Sequence, residues 1–182
     1  MSIYITPKIW GPICWNFLYS IASKYDPIYR DEYFYLLKKL EYILPCPNCI
    51  IHLKEYIRKT GISQKKMSKK YLINWLSNLH ENISNKKQLY SKTLEIINKD
   101  NYINNKNIII FFIIINSYYL TQNISTHHFC QIKTFYELMK YIYPINKTRN
   151  KFLHIVNSVE FKKIHDSESL NNFFKIKFEN II

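Results

Sequence analysis

The sequence contains few glycine and alanine residues, and its opening stretch does not look like a processing signal. Its 182 residues include only two glycines and one alanine, whereas Ile, Asn, Lys and Tyr are abundant. This mix is typical of AT-rich codons, so it indicates the base composition of a genome rather than a chemistry. The opening sequence MSIYITPKIWGP also lacks the basic region, long apolar stretch and small-residue cleavage site of a secretory signal peptide.

No apolar run is long enough to cross a bilayer. The longest lies in residues 107–120 and is interrupted at Asn116, well short of the roughly 20 residues that a transmembrane helix needs. We interpret it as a buried core helix or strand. We therefore expect a cytoplasmic protein without a membrane partner, and in that compartment a stable structural disulfide is not the default.

Acidic residues are few: 26 Lys and Arg residues stand against 13 Asp and Glu residues, which gives a net charge of +13. The lysines are spread over the whole length in short pairs, and no recognised nucleic-acid motif is present. Spread charge of this kind is typical of solvated helix surfaces. We therefore expect no nucleic-acid partner.

The composition supports a folded helical core, with 47% hydrophobic and 16% aromatic residues. Apolar residues recur at three- and four-residue spacing in four stretches of the first half. Thr6 and Pro7 suit the cap and first turn of the first helix, Pro45 ends the second, Gly61 follows the third and Ser68 suits the cap of the fourth. Residues 1–99 are therefore predicted to form an all-α, four-helix bundle.

The second half carries no chemical motif. Residues 97–107 are polar and Asn-rich, which predicts a linker. Residues 100–182 show further helical patterns and are predicted to be a helical C-terminal extension, either a degenerate second bundle or an accessory dimerisation layer.

Two of the four cysteines, Cys46 and Cys49, form a Cys-x-x-Cys pair in LPCPNC. A zinc site needs four ligands, usually as two pairs; Cys14 and Cys130 are far apart, and His52 is crowded on the same predicted helix. A structural disulfide is disfavoured because so small a loop removes little chain entropy. We expect no metal.

A redox role has a physical cause. A Cys-x-x-Cys at a helix N-terminus places sulfur beside unpaired backbone N–H groups and the positive end of the helix dipole, which favour thiolate over thiol. No strand precedes Cys46, so a thioredoxin-like context is absent. A helical bundle with a dithiol needs another electron acceptor, and a flavin held among core aromatics is the obvious candidate.

Four stretches, in order over residues 10–89, resemble the Erv/ALR flavin-linked sulfhydryl oxidases. They are WGPICWNFLYSIASKY for the opening helix, LPCPNC for the catalytic pair, CIIHLKEYI for the helix after it and WLSNLHENIS for the fourth helix. The set is most similar to the compact forms of large DNA viruses. The resemblance implies a four-helix bundle that binds FAD and turns two substrate thiols into a disulfide while O2 becomes hydrogen peroxide.

The resemblance also implies residue roles. Cys46 would exchange with the substrate, and Cys49 would lie against the flavin and pass electrons to it. The positions that match cofactor contacts are Trp10, Gly11, Trp15, Tyr19, Trp75, His80, Ile83, Ser84 and Lys87. The implied partners are thiol-containing proteins or a small redox shuttle protein, O2 and a second copy of the chain in a homodimer.

The chain departs from the family pattern at three cofactor positions. Tyr19 replaces a His on the first helix, and Glu81 and Ser84 replace two Asn residues on the fourth. These changes bear on FAD affinity more than on fold. Two alternatives therefore stay open: a flavin-free helical scaffold, and a zinc-stabilised basic protein that binds nucleic acid through Cys46, Cys49 and either His52 or His80.

The remaining cysteines and His52 are predicted to have no part in catalysis or metal binding. Cys14 is predicted to be a buried free thiol, Cys130 an inert or partly buried one, and His52 an exposed or capping side chain. No second Cys-x-x-Cys is present to act as a shuttle, so substrates would reach Cys46 directly or through a separate redox protein.

Overall fold

The structure, a computed structural model, describes residues 6–84 and 105–178, and no strand occurs within these residues. The all-α prediction is confirmed. In the first half the helices are α1 (Pro7–Ser23), a short 3-10 helix (Pro27–Tyr29), α2 (Arg30–Ile43), α3 (Pro47–Thr60) and α4 (Lys69–Ser84). In the second half they are α5 (Asn105–Leu120), α6 (Thr126–Ile142), α7 (Asn146–Asn157), α8 (Val159–Lys163) and α9 (Ser167–Phe178).

The predicted helix ends of the first half are largely confirmed. Ser68 precedes α4 and its hydroxyl accepts a hydrogen bond from the Tyr71 N–H at 3.2 Å. Gly61 follows α3 at φ 68°, a conformation that favours glycine, and its N–H donates to the Ile57 carbonyl. Thr6 does precede α1, but the expectation that its side chain caps this helix is wrong, since no such bond forms.

The apolar run of residues 107–120 belongs to α5, which is buried on most sides. Ile108, Phe111, Phe112 and Ile115 are each completely shielded from solvent. Within the described residues, no helix combines the length and apolarity needed to cross a membrane. The predicted linker is too long at its C-terminal end, because residues 105–107 form the first turn of α5; its remainder, with the predicted boundary at residue 99, lies outside the described residues.

The two halves share one hydrophobic core. α5 packs along α1, and α6 packs along α2. Phe17 of α1 is fully buried at this seam and contacts the rings of Phe111, Phe112 and Phe135, with centroid distances of 5.2 to 5.9 Å. Aromatic pairs at such distances stabilise beyond the area that they bury. The extension is thus packed onto the bundle and covers faces of α1 and α2.

Candidate active site

The Cys-x-x-Cys pair lies at the start of α3, as predicted. Cys46 is the residue that caps the helix, and Pro47 occupies the first helical position, where its missing N–H costs nothing. Cys46 and Cys49 are joined by a disulfide, with their Cα atoms 5.2 Å apart. The Cys46 sulfur also accepts a hydrogen bond from the Cys49 N–H at 3.2 Å. The helix N-terminus therefore favours negative charge on the Cys46 sulfur when the bond is opened.

The two sulfurs differ in their surroundings. The Cys46 residue is only 4% exposed, whereas Cys49 is half-buried. Cys49 forms part of the wall of a cavity of about 130 Å³ between the first four helices. The lining is almost wholly apolar and consists of Pro7, Trp10, Gly11, Cys14, Trp15, Leu18, Leu40, Leu44, Cys49, Leu53, Leu79 and Ile83. Such a cavity suits a flat apolar ring placed beside the Cys49 sulfur.

Trp10 and Gly11 add two features to this wall. The Trp10 residue is 4% exposed, and its indole N–H is buried without a hydrogen-bond partner among the described residues. An unpaired buried donor is costly unless an acceptor meets it. Gly11 lies inside a helix, where glycine is destabilising by about 1 kcal/mol relative to alanine, yet a Cβ at this position would meet nothing within 4 Å. Protein packing therefore does not require glycine here, whereas close approach of a ligand would.

Three predicted residues form an aromatic cluster between α1 and α4. The Trp15 and His80 rings stack with centroids 4.0 Å apart and planes at 13°. The Tyr19 hydroxyl lies 3.1 Å from His80 Nδ1. Tyr19 therefore takes a direct place in the cluster, although it replaces the histidine that the resemblance leads one to expect. Ile83 lines the cavity, and the Ser84 hydroxyl donates to the His80 carbonyl at 2.7 Å.

Trp75 does not join the other predicted cofactor residues. It is absent from the cavity lining and is 5% exposed within the core. Its indole N–H donates to the Gly61 carbonyl at 3.1 Å, and its ring packs edge-on against Tyr56. The structure thus gives Trp75 a packing role, and a direct contact with the cofactor stays a prediction. Lys87 lies outside the described residues.

Cys14 is a buried free thiol, as predicted, but it also lines the cavity. Burial raises the pKa of the Cys14 thiol far above its usual range, because the interior does not solvate a thiolate. The neutral thiol is a poor nucleophile, so Cys14 contributes to the wall rather than to thiol exchange.

The other lining residues were not singled out from the sequence. Leu18, Leu40, Leu53 and Leu79 belong to ordinary helical stripes. An apolar residue has the same sequence signature whether it packs in a core or lines a cavity. No signal in the sequence could have found them.

Cys130, predicted to be inert or partly buried, is exposed, so partial burial is wrong and inertness stays a prediction. It lies in the first turns of α6, on a face that α2 and α5 do not cover. His52 is exposed, as predicted. Within the described parts of the chain, no three His, Cys, Asp or Glu side chains come close enough together to hold a metal ion.

The chain is similar to three viral proteins, each of which carries its name provisionally. It is 28% identical over 97 residues to FAD-linked sulfhydryl oxidase 096R of invertebrate iridescent virus 3, covering 50% of this chain and 66% of that protein. It is 27% identical over 104 residues to FAD-linked sulfhydryl oxidase R368 of Acanthamoeba polyphaga mimivirus, covering 52% of this chain and 73% of the relative.

The third relative is FAD-linked sulfhydryl oxidase 347L of invertebrate iridescent virus 6, with 36% identity over 58 residues, 30% of this chain and 52% of that protein. The chain thus spans between half and three quarters of the length of these relatives. No family profile and no solved structure matches it. The resemblance that the sequence motifs indicated is nevertheless confirmed: the chain is similar to viral proteins named FAD-linked sulfhydryl oxidases.

Proposed function

We propose that the protein is an FAD-dependent thiol oxidase that forms disulfides in protein substrates. The observation that carries this proposal is the Cys46–Cys49 disulfide at the start of α3. Cys46 caps this helix, and Cys49 lines an apolar cavity. The similarity to viral FAD-linked sulfhydryl oxidases supports the same activity.

The residues around the cavity fit a flavin ring. Trp10 and Trp15 supply flat apolar walls, Gly11 lets a ring approach the backbone, and the Trp10 indole N–H is free to donate to a ring oxygen or nitrogen. Tyr19 and His80, stacked beside Trp15, would hold the adenine or ribose end. The chemistry expected from bound FAD is to accept two electrons from the dithiol and pass them to O2, giving hydrogen peroxide.

Thiol exchange at the pair can be written from the chain's own residues. A substrate thiolate attacks the Cys46 sulfur, the Cys46–Cys49 bond breaks, and Cys49 leaves as a thiolate that takes up a proton. A second substrate thiolate then attacks the substrate sulfur of the mixed disulfide. Cys46 is expelled as a thiolate, whose charge the Cys49 N–H and the start of α3 stabilise. The substrate has lost two electrons and the pair has gained them.

Access to Cys46 sets a requirement on the substrate. Because the residue is 4% exposed, the attacking thiol must enter a narrow opening or displace the neighbouring segment. A flexible protein segment or a small redox shuttle protein meets this requirement better than a rigid surface. A homodimer, which the resemblance implies, would need surfaces other than the faces of α1 and α2 that carry α5 and α6.

The test is the visible absorption spectrum of the purified full-length protein, with metal analysis on the same sample. We expect a flavin spectrum that bleaches when dithiothreitol is added without oxygen and returns with air, accompanied by hydrogen peroxide. A colourless protein that carries zinc would favour the metal-binding alternative. A protein that stays colourless and metal-free after incubation with FAD would overturn the oxidase proposal and indicate a flavin-free scaffold.

A further inference from the structure

The second half of the chain contacts the segment immediately before the redox pair. Tyr119, near the end of α5, donates its hydroxyl hydrogen to the Leu44 carbonyl at 3.0 Å in a buried bond. His128, in the first turn of α6, lies with Nε2 2.9 Å from the Tyr42 carbonyl, so Nε2 carries the hydrogen and donates it. We call Tyr119 and His128 the α2 clasp.

The clasp is part of a continuous contact between the two halves. The His128 ring packs edge-on against Tyr42 with centroids 5.4 Å apart, and it also contacts the Tyr119 ring at 5.0 Å. One turn earlier on α2, the Lys39 ammonium donates to the Gln131 side-chain oxygen of α6. The donors of the clasp are thus held in place by ring packing and by a neighbouring seam bond.

The segment that the clasp holds has little means of fixing itself. α2 ends at Ile43, and the last carbonyls of a helix have no partner within it. Pro45 and Pro47 have no N–H to donate, so residues 44–47 can form few main-chain bonds. The Leu44 N–H does donate to the Leu40 carbonyl, and the Cys46 carbonyl accepts from the Ile50 N–H. The Tyr42 and Leu44 carbonyls receive their bonds from the other half.

We propose that Tyr119 and His128 are positioning residues for the Cys46–Cys49 pair. This inference rests on the proposed function, since positioning matters only if the pair cycles between disulfide and dithiol. A fixed segment 44–46 holds the Cys46 sulfur next to Cys49, which raises the effective concentration of one thiol toward the other and favours the disulfide. The dithiol has no covalent link between the sulfurs and tolerates a looser segment. The clasp therefore stabilises the disulfide more than the dithiol.

The decisive variant is Tyr119→Phe, which keeps the ring and removes the hydroxyl. The measurement is the fraction of Cys46–Cys49 disulfide at equilibrium in anaerobic glutathione buffers, read by alkylation and mass spectrometry of the full-length protein. In this equilibrium two glutathione thiols become glutathione disulfide while the Cys46–Cys49 bond is reduced to two thiols. We expect the equilibrium to shift toward the dithiol by roughly threefold to tenfold, the range that one hydrogen bond contributes.

Tyr136→Phe is the matched control. Tyr136 is a buried tyrosine of the same half, but its hydroxyl donates to Asn116 and not to the α2–α3 segment. It should lower overall stability about as much as Tyr119→Phe while leaving the glutathione equilibrium within twofold of wild type. A second variant, His128→Phe, removes the other donor and keeps a ring; it should shift the equilibrium in the same direction as Tyr119→Phe.

The outcomes separate this inference from the proposed function, because the glutathione equilibrium requires no flavin. If Tyr119→Phe and His128→Phe match wild type, or if Tyr136→Phe shifts as much as they do, the clasp has only a structural role. If Tyr119→Phe and His128→Phe shift the glutathione equilibrium as expected but the protein binds no flavin, the positioning role is supported and the oxidase proposal fails. A wild-type pair that never exchanges with glutathione would overturn both.

Discussion

Helices α1–α4 and helices α5–α9 bury polar side chains in different ways. In the first half, the Trp10 indole nitrogen, the Ser20 and Ser77 hydroxyls and the Asn74 amide oxygen are buried without a hydrogen-bond partner among the described residues. In the second half, the buried Tyr136 hydroxyl donates to the Asn116 amide oxygen at 2.7 Å. A buried polar group without a partner is unusual and needs an explanation, and for the Trp10 nitrogen the cavity that this residue lines offers one.

The distribution of chemistry follows the same division. The disulfide, the cavity and all three tryptophans lie in the first half. The second half contributes rings: Phe112, for example, packs against Phe135, Tyr136 and Phe152 with centroids 5.6 to 5.7 Å apart. Within the described residues, the second half packs against the bundle that holds the disulfide, and the α2 clasp is its one proposed link to the chemistry.

The largest expected effect comes from Cys49→Ser, which tests whether the chemistry is confined to the first half. Thiol oxidation should fall by more than about a hundredfold, because the hydroxyl cannot form the disulfide that passes electrons onward. The flavin-to-protein ratio should stay near that of wild type, since Cys49 is only one of the residues lining the cavity. Turnover and bound flavin are measured on the same preparation.

Cys130→Ser is the control for this prediction. Cys130 is an exposed free cysteine in the second half, so its replacement should leave turnover unchanged. An active Cys49→Ser protein would contradict the roles given to the pair, and an inactive Cys130→Ser protein would bring the second half into the chemistry.

Phe17→Ala tests whether the two halves unfold as one unit. Phe17 is fully buried against Phe111, Phe112 and Phe135, so its loss should lower the free energy of unfolding by about 3–5 kcal/mol. Tryptophan fluorescence reports on the first half alone, and far-UV circular dichroism reports on both. Within each protein, we expect fluorescence and circular dichroism to give the same urea midpoint. The midpoint of the variant should lie below that of wild type.

Ile28→Ala, at a residue 81% exposed, should change the free energy of unfolding by less than about 0.5 kcal/mol. Fluorescence and dichroism midpoints that separate in the Phe17→Ala protein would instead show that each half is stable without the seam.

Much of the first half could be predicted from the sequence, because its helices have clear apolar stripes and recognisable ends. The Cys46 cap is an example: proline at the next position and the cysteine spacing both indicate a helix start. The place of Trp75 could not be predicted, since the sequence cannot tell whether an indole N–H meets a ligand or the Gly61 carbonyl. The length of α5 was equally hidden, because Asn105 and Asn107 are polar residues that suit a linker as well as a first turn.

The seam between the halves was beyond prediction for another reason. Phe17 indicates an apolar face of α1, but the sequence of that face does not show which helix covers it. Tyr119 and His128 form their bonds with main-chain carbonyls, which every residue carries. A contact of this kind leaves no pattern in the sequence of α2.

Alkaline pH should destabilise the protein, chiefly through the buried tyrosines of the second half. Burial raises the pKa of Tyr119, Tyr136 and Tyr143 above the usual 10, and it raises the pKa of Tyr33 in the first half to about 12. The unfolded chain then loses these protons at lower pH than the folded protein does. Stability is therefore fully present below about pH 10 and is lost as pH rises toward 12 and beyond.

The measurement is the urea midpoint at a series of pH values from about 9 to 12. The free energy of unfolding of the Tyr136→Phe protein should be about 1 kcal/mol below that of wild type at neutral pH, because the bond to Asn116 is lost. Above pH 10 it should fall less steeply than that of wild type. Tyr33→Phe is the counterpart in the first half. If Tyr33→Phe flattens the curve more than Tyr136→Phe does, the alkaline sensitivity belongs to the bundle and this part of the comparison is wrong.

The smallest expected effect is that of Ser77→Ala, and it tests the comparison most directly. Ser77 of α4 is fully buried, and its hydroxyl has no hydrogen-bond partner among the described residues. Removing it deletes no bond and relieves a desolvated polar group, so the free energy of unfolding should stay within about 0.5 kcal/mol of wild type or rise slightly. Tyr136→Phe removes one hydroxyl that is bonded and should lower the same quantity by about 1 kcal/mol. A loss for Ser77→Ala as large as that for Tyr136→Phe would mean that the Ser77 hydroxyl is bonded in solution. The buried polar groups of the two halves would then be alike in this respect, and the contrast drawn between them would be lost.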